Sequence, residues 1–72
     1  MSYTLYVAED CHDCGNVLES YKSLGLDFPV HNLDLDKTIE APVQLYAFPA
    51  LFRGESLVAY GVNIIEHLKK MA

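Results

Sequence analysis

The chain of 72 residues has no tryptophan, only two cysteines, and five basic residues against ten acidic ones. Each scarcity excludes something. With a net charge of −5, the surface repels phosphate backbones, so nucleic-acid binding is not expected. No apolar run is long enough to cross a bilayer, and no membrane association is expected either. The first residues lack the basic start and cleavage site of a secretory signal. A cysteine pair without an export signal suits the reducing cytosol, where C-x-x-C is more often catalytic or metal-binding than structural. The expected location is therefore cytoplasmic. There is no internal repeat, low-complexity tract or linker.

What is present suffices for one small domain, residues 1–72. Hydrophobic residues make up 51% of the chain, enough for a core, although a domain this short buries only about 60% of the surface its unfolded form exposes. The charge is uneven. Residues 1–40 hold Glu9, Asp10, Asp13, Glu19, Asp27, Asp34, Asp36 and Glu40 against Lys22 and Lys37; the remainder holds Glu55 and Glu66 against Arg53, Lys69 and Lys70. Solubility is the first explanation of this excess. A partner steered by it would present basic residues.

The run Tyr3–Ala8 alternates Tyr3, Leu5 and Val7 with Thr4, Tyr6 and Ala8, apolar on both sides, as in an inner strand. Glu9-Asp10 ends it, and Cys11-His12-Asp13-Cys14 follows. From Cys14 the apolar spacing turns helical through Val17, Leu18, Tyr21 and Leu24, and Gly25 suits the left-handed position after a helix end. A second strand over Val30–Leu35 completes a βαβ unit, so the first two strands should be parallel. Residues 36–46 suggest one short helix, with Pro42 in its first turn. Phe48–Phe52 and Ser56–Tyr60 read as a hairpin around Gly54. Gly61 breaks it, and Asn63 with Glu66 is a capping-box pattern for a last helix with Ile64, Ile65, Leu68 and Met71 inward. Lys69 and Lys70 suit the negative end of its dipole. The order is α/β: β-α-β-(α)-β-β-α, with a mixed four-stranded sheet flanked by helices.

A C-x-x-C where a strand hands over to a helix puts the first sulfur at the helix N-terminus, where unpaired N–H groups stabilise a thiolate. The second sulfur follows one turn later, within bonding reach. A disulfide across so short a loop contributes about 2 kcal/mol, too little to explain the pair as a staple. Zinc needs four ligands, and the chain offers two cysteines and three scattered histidines, without a second C-x-x-C or an H-x₃₋₅-H. Thiol–disulfide exchange is the first expectation, and metal or iron–sulfur binding through the same cysteines is the alternative.

The element order, Cys11-His-Asp-Cys14 after the first strand, Pro49 opening the third, and Gly61 together resemble the thioredoxin fold in its small glutaredoxin form. The resemblance covers the whole chain. The stretch from Phe48 to Leu68 is also similar to the closing half of glutathione transferase N-terminal domains. The resemblance implies a redox-active centre with Cys11 as nucleophile and Cys14 as resolving thiol. It implies a cis Pro49, preferred to Pro42, with the Phe48 backbone facing the dithiol to pair with a peptide or glutathione. His12, Asp13, Phe48, Pro49, Tyr60 and Gly61 are the expected substrate-binding residues. The implied activity is electron transport to disulfides in protein substrates, with glutathione or a flavin-dependent reductase as donor, no resident cofactor, and a monomer.

The chain departs from that pattern at several positions. Ala8, Glu9 and Asp10 stand where glutaredoxins often carry a basic residue before the first cysteine. His12-Asp13 replaces the usual Pro-Tyr, and Tyr60-Gly61 falls where transferases carry Glu-Ser. The segment between Asp36 and Pro49 is short. Each departure weakens glutathione specificity and none weakens dithiol chemistry. Protonated His12 and the helix terminus favour a Cys11 thiolate, whereas Glu9, Asp10 and Asp13 oppose it. A less acidic thiol accompanies a more reducing couple. His31 and His67 have no expected role, and Asp34-x-Asp36 reads as a solvated edge, not a calcium site. The five tyrosines fall on core-patterned positions, with Tyr60 beside the site.

Overall fold

The strand β1 (Tyr3–Val7) is inner, as its two apolar faces require. The computed structural model, which describes residues 2–71, adds α1 (His12–Ser23), β2 (Val30–Asn32), β3 (Ala50–Arg53), β4 (Ser56–Tyr60) and α2 (Asn63–Met71). The sheet order is β2-β1-β3-β4. β1 runs parallel to β2, with Leu5 opposite Val30, and antiparallel to β3, with Leu5 opposite Leu51. β3 and β4 are antiparallel. This is the mixed four-stranded sheet of a thioredoxin-like α/β fold.

The alternation of β1 feeds two cores. Leu5 and Val7 join Val17 of α1, Leu51 of β3, and Ile64 and Leu68 of α2 in one cluster, so both helices cover the same face. Tyr6 points the other way, to Ala50 and Phe52. Its ring meets Phe52 edge-on at 5.4 Å between centroids, a favourable arrangement of the two quadrupoles.

Among the described residues the second face carries no helix, which corrects the expectation for residues 36–46. That segment is a succession of turns and bends. Asp36 turns back on itself: its Oδ1 accepts from both the N–H and the hydroxyl of Thr38 at 3.0 and 2.6 Å. Such local side-chain bonds compete with helix formation, and Pro42 removes a further donor. Ile39, Ala41 and Leu45 nevertheless pack on the second cluster, doing a helix's covering work from irregular backbone. Tyr46 is a correction of another kind, because it is 84% exposed and not in a core.

β2 is also shorter than expected, three residues in place of the run to Leu35. The Asn32 side chain accepts from the N–H groups of Asp34 and Leu35 at 3.0 and 3.2 Å. That Asx turn bends the chain out of the sheet, and Leu35 is left exposed. β1 ends one residue early, at Val7.

The helix ends follow from their residues. Gly25 has φ 69°, its N–H donates to Lys22 O, and Leu26 N–H donates to Tyr21 O. This double closure is a Schellman motif, which needs a left-handed residue after the last turn. Tyr21 then anchors the return loop through its hydroxyl, which donates to the Phe28 carbonyl, and through edge-on packing with Phe28 at 4.9 Å. Burial, with a contribution from Asp27, pushes the Tyr21 phenol above its ordinary pKa. At α2 the expected cap is displaced. Asn63 lies inside the first turn, and the carbonyls of Gly61 and Val62 accept from Ile64 and Ile65.

β4 has a bulge with a consequence for the site. Phe52 faces Leu57 and Leu51 faces Ala59, so Val58 is the extra residue. Val58 and Ala59 both face the helix side, and Tyr60 is turned to the other. A regular strand would set Tyr60 on the same face as Val58.

Phe52 is fully buried, and Phe52→Ala should destabilise the domain by about 3–5 kcal/mol in urea unfolding. Tyr46→Ala should stay within about 0.5 kcal/mol of the parent. The Thr38 hydroxyl, then its N–H, hold the Asp36 carboxyl below its ordinary 3.8. A depressed folded-state pKa gives stability that is present above the unfolded value and lost as pH falls through the folded one. Thr38→Val should therefore lower stability near pH 6 and converge with the parent as pH falls through the folded-state pKa of Asp36. Unfolding curves across that range check it.

Candidate active site

β1 aims the chain at α1, and Cys11 stands at the junction as the helix N-cap. Asp10 turns the backbone with φ 51°, a conformation Asp and Asn accept more readily than most residues. Cys11 is then extended, φ −119° and ψ 105°. Its Sγ accepts from the Cys14 N–H at 3.2 Å, taking the place of the usual Ser or Asp oxygen. Its carbonyl accepts from Gly15 N–H at 3.2 Å, closing the first helical turn. Cys11 is partly exposed and Cys14 is 2% exposed. The two form a disulfide, with Cα atoms 5.2 Å apart. On reduction the same cap geometry leaves an N–H and the helix dipole aimed at Cys11 Sγ, which favours its thiolate.

A second element faces this sulfur. The Phe48–Pro49 peptide bond is cis, and the Phe48 carbonyl oxygen lies 3.7 Å from Cys11 Sγ. Pro49 is buried and its carbonyl accepts from Gly61 N–H at 2.8 Å. Gly61, at φ 61°, lies in turn against α1: a Cβ built there would come within 3.9 Å of Asp13 Oδ2. Cys11, Asp13, Cys14, Phe48, Pro49 and Gly61 therefore converge. His12 is the first helical residue and is exposed. Tyr60 is placed elsewhere, with Tyr6, Ala50 and Phe52 on the opposite face of the sheet.

From the sequence, Glu9 and Asp34 have no expected bracing role and Asn32 has no role at all, yet these three brace the site from behind. Glu9 N–H donates to Asp34 Oδ2 at 2.8 Å, and Asn32 Nδ2 donates to Glu9 Oε2 at 3.3 Å. These bonds tie the turn before Cys11 to the turn after β2. The available signal was Asn32 followed two residues later by Asp34, an Asx-turn pattern at a strand end. Among the described residues the one ion pair is Lys37–Asp34 at 3.8 Å, so the carboxylates of Glu9, Asp10 and Asp13 have no cationic partner there. No three His, Cys, Asp or Glu side chains among them converge as a metal site. A groove of about 440 Å³ lies between α1 and α2, lined by Asn16, Glu19, Ser23, Ile65 and Lys69 among others. It includes neither cysteine.

The chain matches no protein-family model, and no curated protein matches it. Among solved structures it is similar to the crystal structure of the glutaredoxin grx-1 from Archaeoglobus fulgidus, with a TM-score of 0.65 and 22% identity. The match covers 96% of this chain and 86% of that one. The fold is thus thioredoxin-like in its small, glutaredoxin-like form, with a close cysteine pair at the N-terminus of its first helix.

Asp13, in the first turn of α1 and without a cationic partner among the described residues, opposes negative charge at this end of the helix. Asp13→Asn should make the reduced Cys11 thiol more acidic, moving the pH dependence of its alkylation to lower pH. An unchanged or raised midpoint would contradict this placement of the carboxylate.

Proposed function

We propose that the chain is a small thiol–disulfide oxidoreductase that reduces disulfides in protein substrates. The observation that carries this reading is the Cys11 sulfur capping α1, partly exposed, with Cys14 bonded to it from a buried position. The Cys11 thiolate attacks one sulfur of a substrate disulfide. An S–S bond forms between enzyme and substrate as the substrate's own bond breaks, and the departing sulfur takes a proton. Cys14, deprotonated, then attacks Cys11 Sγ and expels the second substrate thiolate. Two electrons have passed to the substrate, and the enzyme holds the Cys11–Cys14 disulfide. A thiol or dithiol reductant, glutathione or a flavin-dependent reductase system, returns it to the start.

The cis Phe48–Pro49 segment supports this assignment by facing the sulfur with backbone. A substrate strand lying there meets main-chain groups, so alignment does not depend on its side chains. No helix of the described residues is long and apolar enough to cross a membrane. Action as a monomer in the cytoplasm is part of the proposal.

Equilibration against glutathione or dithiothreitol redox buffers tests the reading. A reversible two-electron transition confined to Cys11 and Cys14 is expected. Cys11→Ser should abolish disulfide reduction, and Cys14→Ser should accumulate a mixed disulfide through Cys11. Tightly bound zinc or an iron–sulfur chromophore held by the same cysteines, with no exchange activity, would overturn it in favour of metal binding.

A further inference from the structure

We propose that the dithiol end selects positively charged disulfide substrates, polypeptides with Lys or Arg beside the disulfide, over anionic ones such as glutathione disulfide, and that Asp13 is its chief specificity-determining residue. This deepens the oxidoreductase reading and rests on it. The leading observation is the position of Asp13. Its Oδ2 lies against Gly61, whose N–H holds the Pro49 carbonyl, next to the Phe48 carbonyl that faces Cys11 Sγ. A substrate chain laid along Phe48–Pro49 passes this carboxylate. Asp13 has no cationic partner among the described residues, so its charge is available to whatever binds.

The strand directions supply an independent observation. β1 ends and α1 begins at the dithiol, so Lys22 in the last turn of α1 is carried away from it. β3 starts beside the cis proline and runs antiparallel to β1, which takes Arg53 to the far end. β4 returns, α2 starts after Gly61, and its last turn bears Lys69 and Lys70. Four of the five basic residues thus lie at the opposite end, and the fifth, Lys37, is paired to Asp34. The segment joining β2 to β3 bridges the two strand ends nearest the dithiol and adds Asp36 and Glu40. The molecule has a negative pole with the reactive sulfur in it. Such a field speeds encounter with cations and slows it with anions, and salt weakens both effects.

The experiment compares rates of reduction by the dithiol form of the full chain. The probes are three disulfide-linked peptides differing only in Lys, Gln or Glu beside the cysteine, with glutathione disulfide and neutral hydroxyethyl disulfide. At ~0.01 M salt the Lys peptide should react about tenfold faster than the Glu peptide, with glutathione disulfide among the slow substrates. Raising salt to ~0.15 M cuts the screening length from ~30 Å to ~8 Å and should shrink that ratio severalfold. Asp13→Asn should lower the Lys-to-Glu ratio more than Glu55→Gln, which makes the same charge change in the β3–β4 turn at the far end. Because a ratio is read, a change in the thiol's own reactivity cancels. Equal rates for the Lys and Glu peptides, with hydroxyethyl disulfide still reduced, would overturn the selectivity and leave the oxidoreductase reading standing. Equal effects of Asp13→Asn and Glu55→Gln would overturn the role given to Asp13. Failure to reduce any disulfide would overturn both proposals together.

Discussion

The N–H of Cys14 pointing at the sulfur of Cys11 is the contact on which the remaining architecture converges. It meets a structural need and a chemical one with the same atoms. A helix start has donors without partners, and donors that face a sulfur stabilise its thiolate. For Cys11 to serve as the cap, its backbone must be extended while the next residue is already helical. That requires the turn at Asp10, which β1 must deliver at a fixed height above the sheet. β1 can do so because it is paired on both edges, by β2 and β3, and packed on both faces. The sheet is the mount, and the disulfide follows one of its two inner strands.

The same strand order explains why the cis proline faces the sulfur. β3 is the neighbour of β1 and antiparallel to it, so the residues that enter β3 lie beside those that leave β1. Phe48 and Pro49 enter β3 and Cys11 follows β1, 37 residues apart in sequence from Phe48 but 3.7 Å from its carbonyl. Gly61 arrives by the next antiparallel step, after β4, and locks the Pro49 carbonyl from the other side. Topology alone thus gathers the cysteine pair, a backbone ledge and a turn glycine at one end.

Much of this was legible in the sequence because periodicity and punctuation agreed. The apolar alternation of β1, the helical spacing after Cys14, Gly25 at the helix end and the Gly54 hairpin each state one conformation, and the structure has all four. Part of what was not legible has a common cause: short polar side chains that bond their own backbone. Asn32 ends β2 early and Asp36 turns the chain where a helix was expected. Such bonds leave no periodic trace. The placement of Tyr60 was lost differently. Adjacency to Gly61 suggested the site, but a one-residue bulge at Val58 reverses which face each later residue takes, and nothing in the local composition marks it. The covering of the second face by Ile39, Ala41 and Leu45 is likewise a tertiary fact, since three apolar residues on irregular spacing match no template.

The acidic residues around the dithiol each have a local excuse that stops short of explaining their charge. Asp13 sits in the first turn of α1 and Glu66 in that of α2, where a carboxylate offsets the positive end of the helix dipole. Asp10 occupies a left-handed position, and Glu9 is braced by Asn32. Yet Asn accepts the left-handed conformation as well as Asp does, and Gln could take the bond from Asn32. Only the dipole prefers an anion, and its benefit is about 0.3–1 kcal/mol at an exposed position. Against that stands the cost of crowding carboxylates around a sulfur that becomes an anion in the proposed exchange. Stability and thiol activation together would favour fewer charges at this end. Carboxylates at this end, with the cations at the opposite pole, are what the proposed charge selection requires.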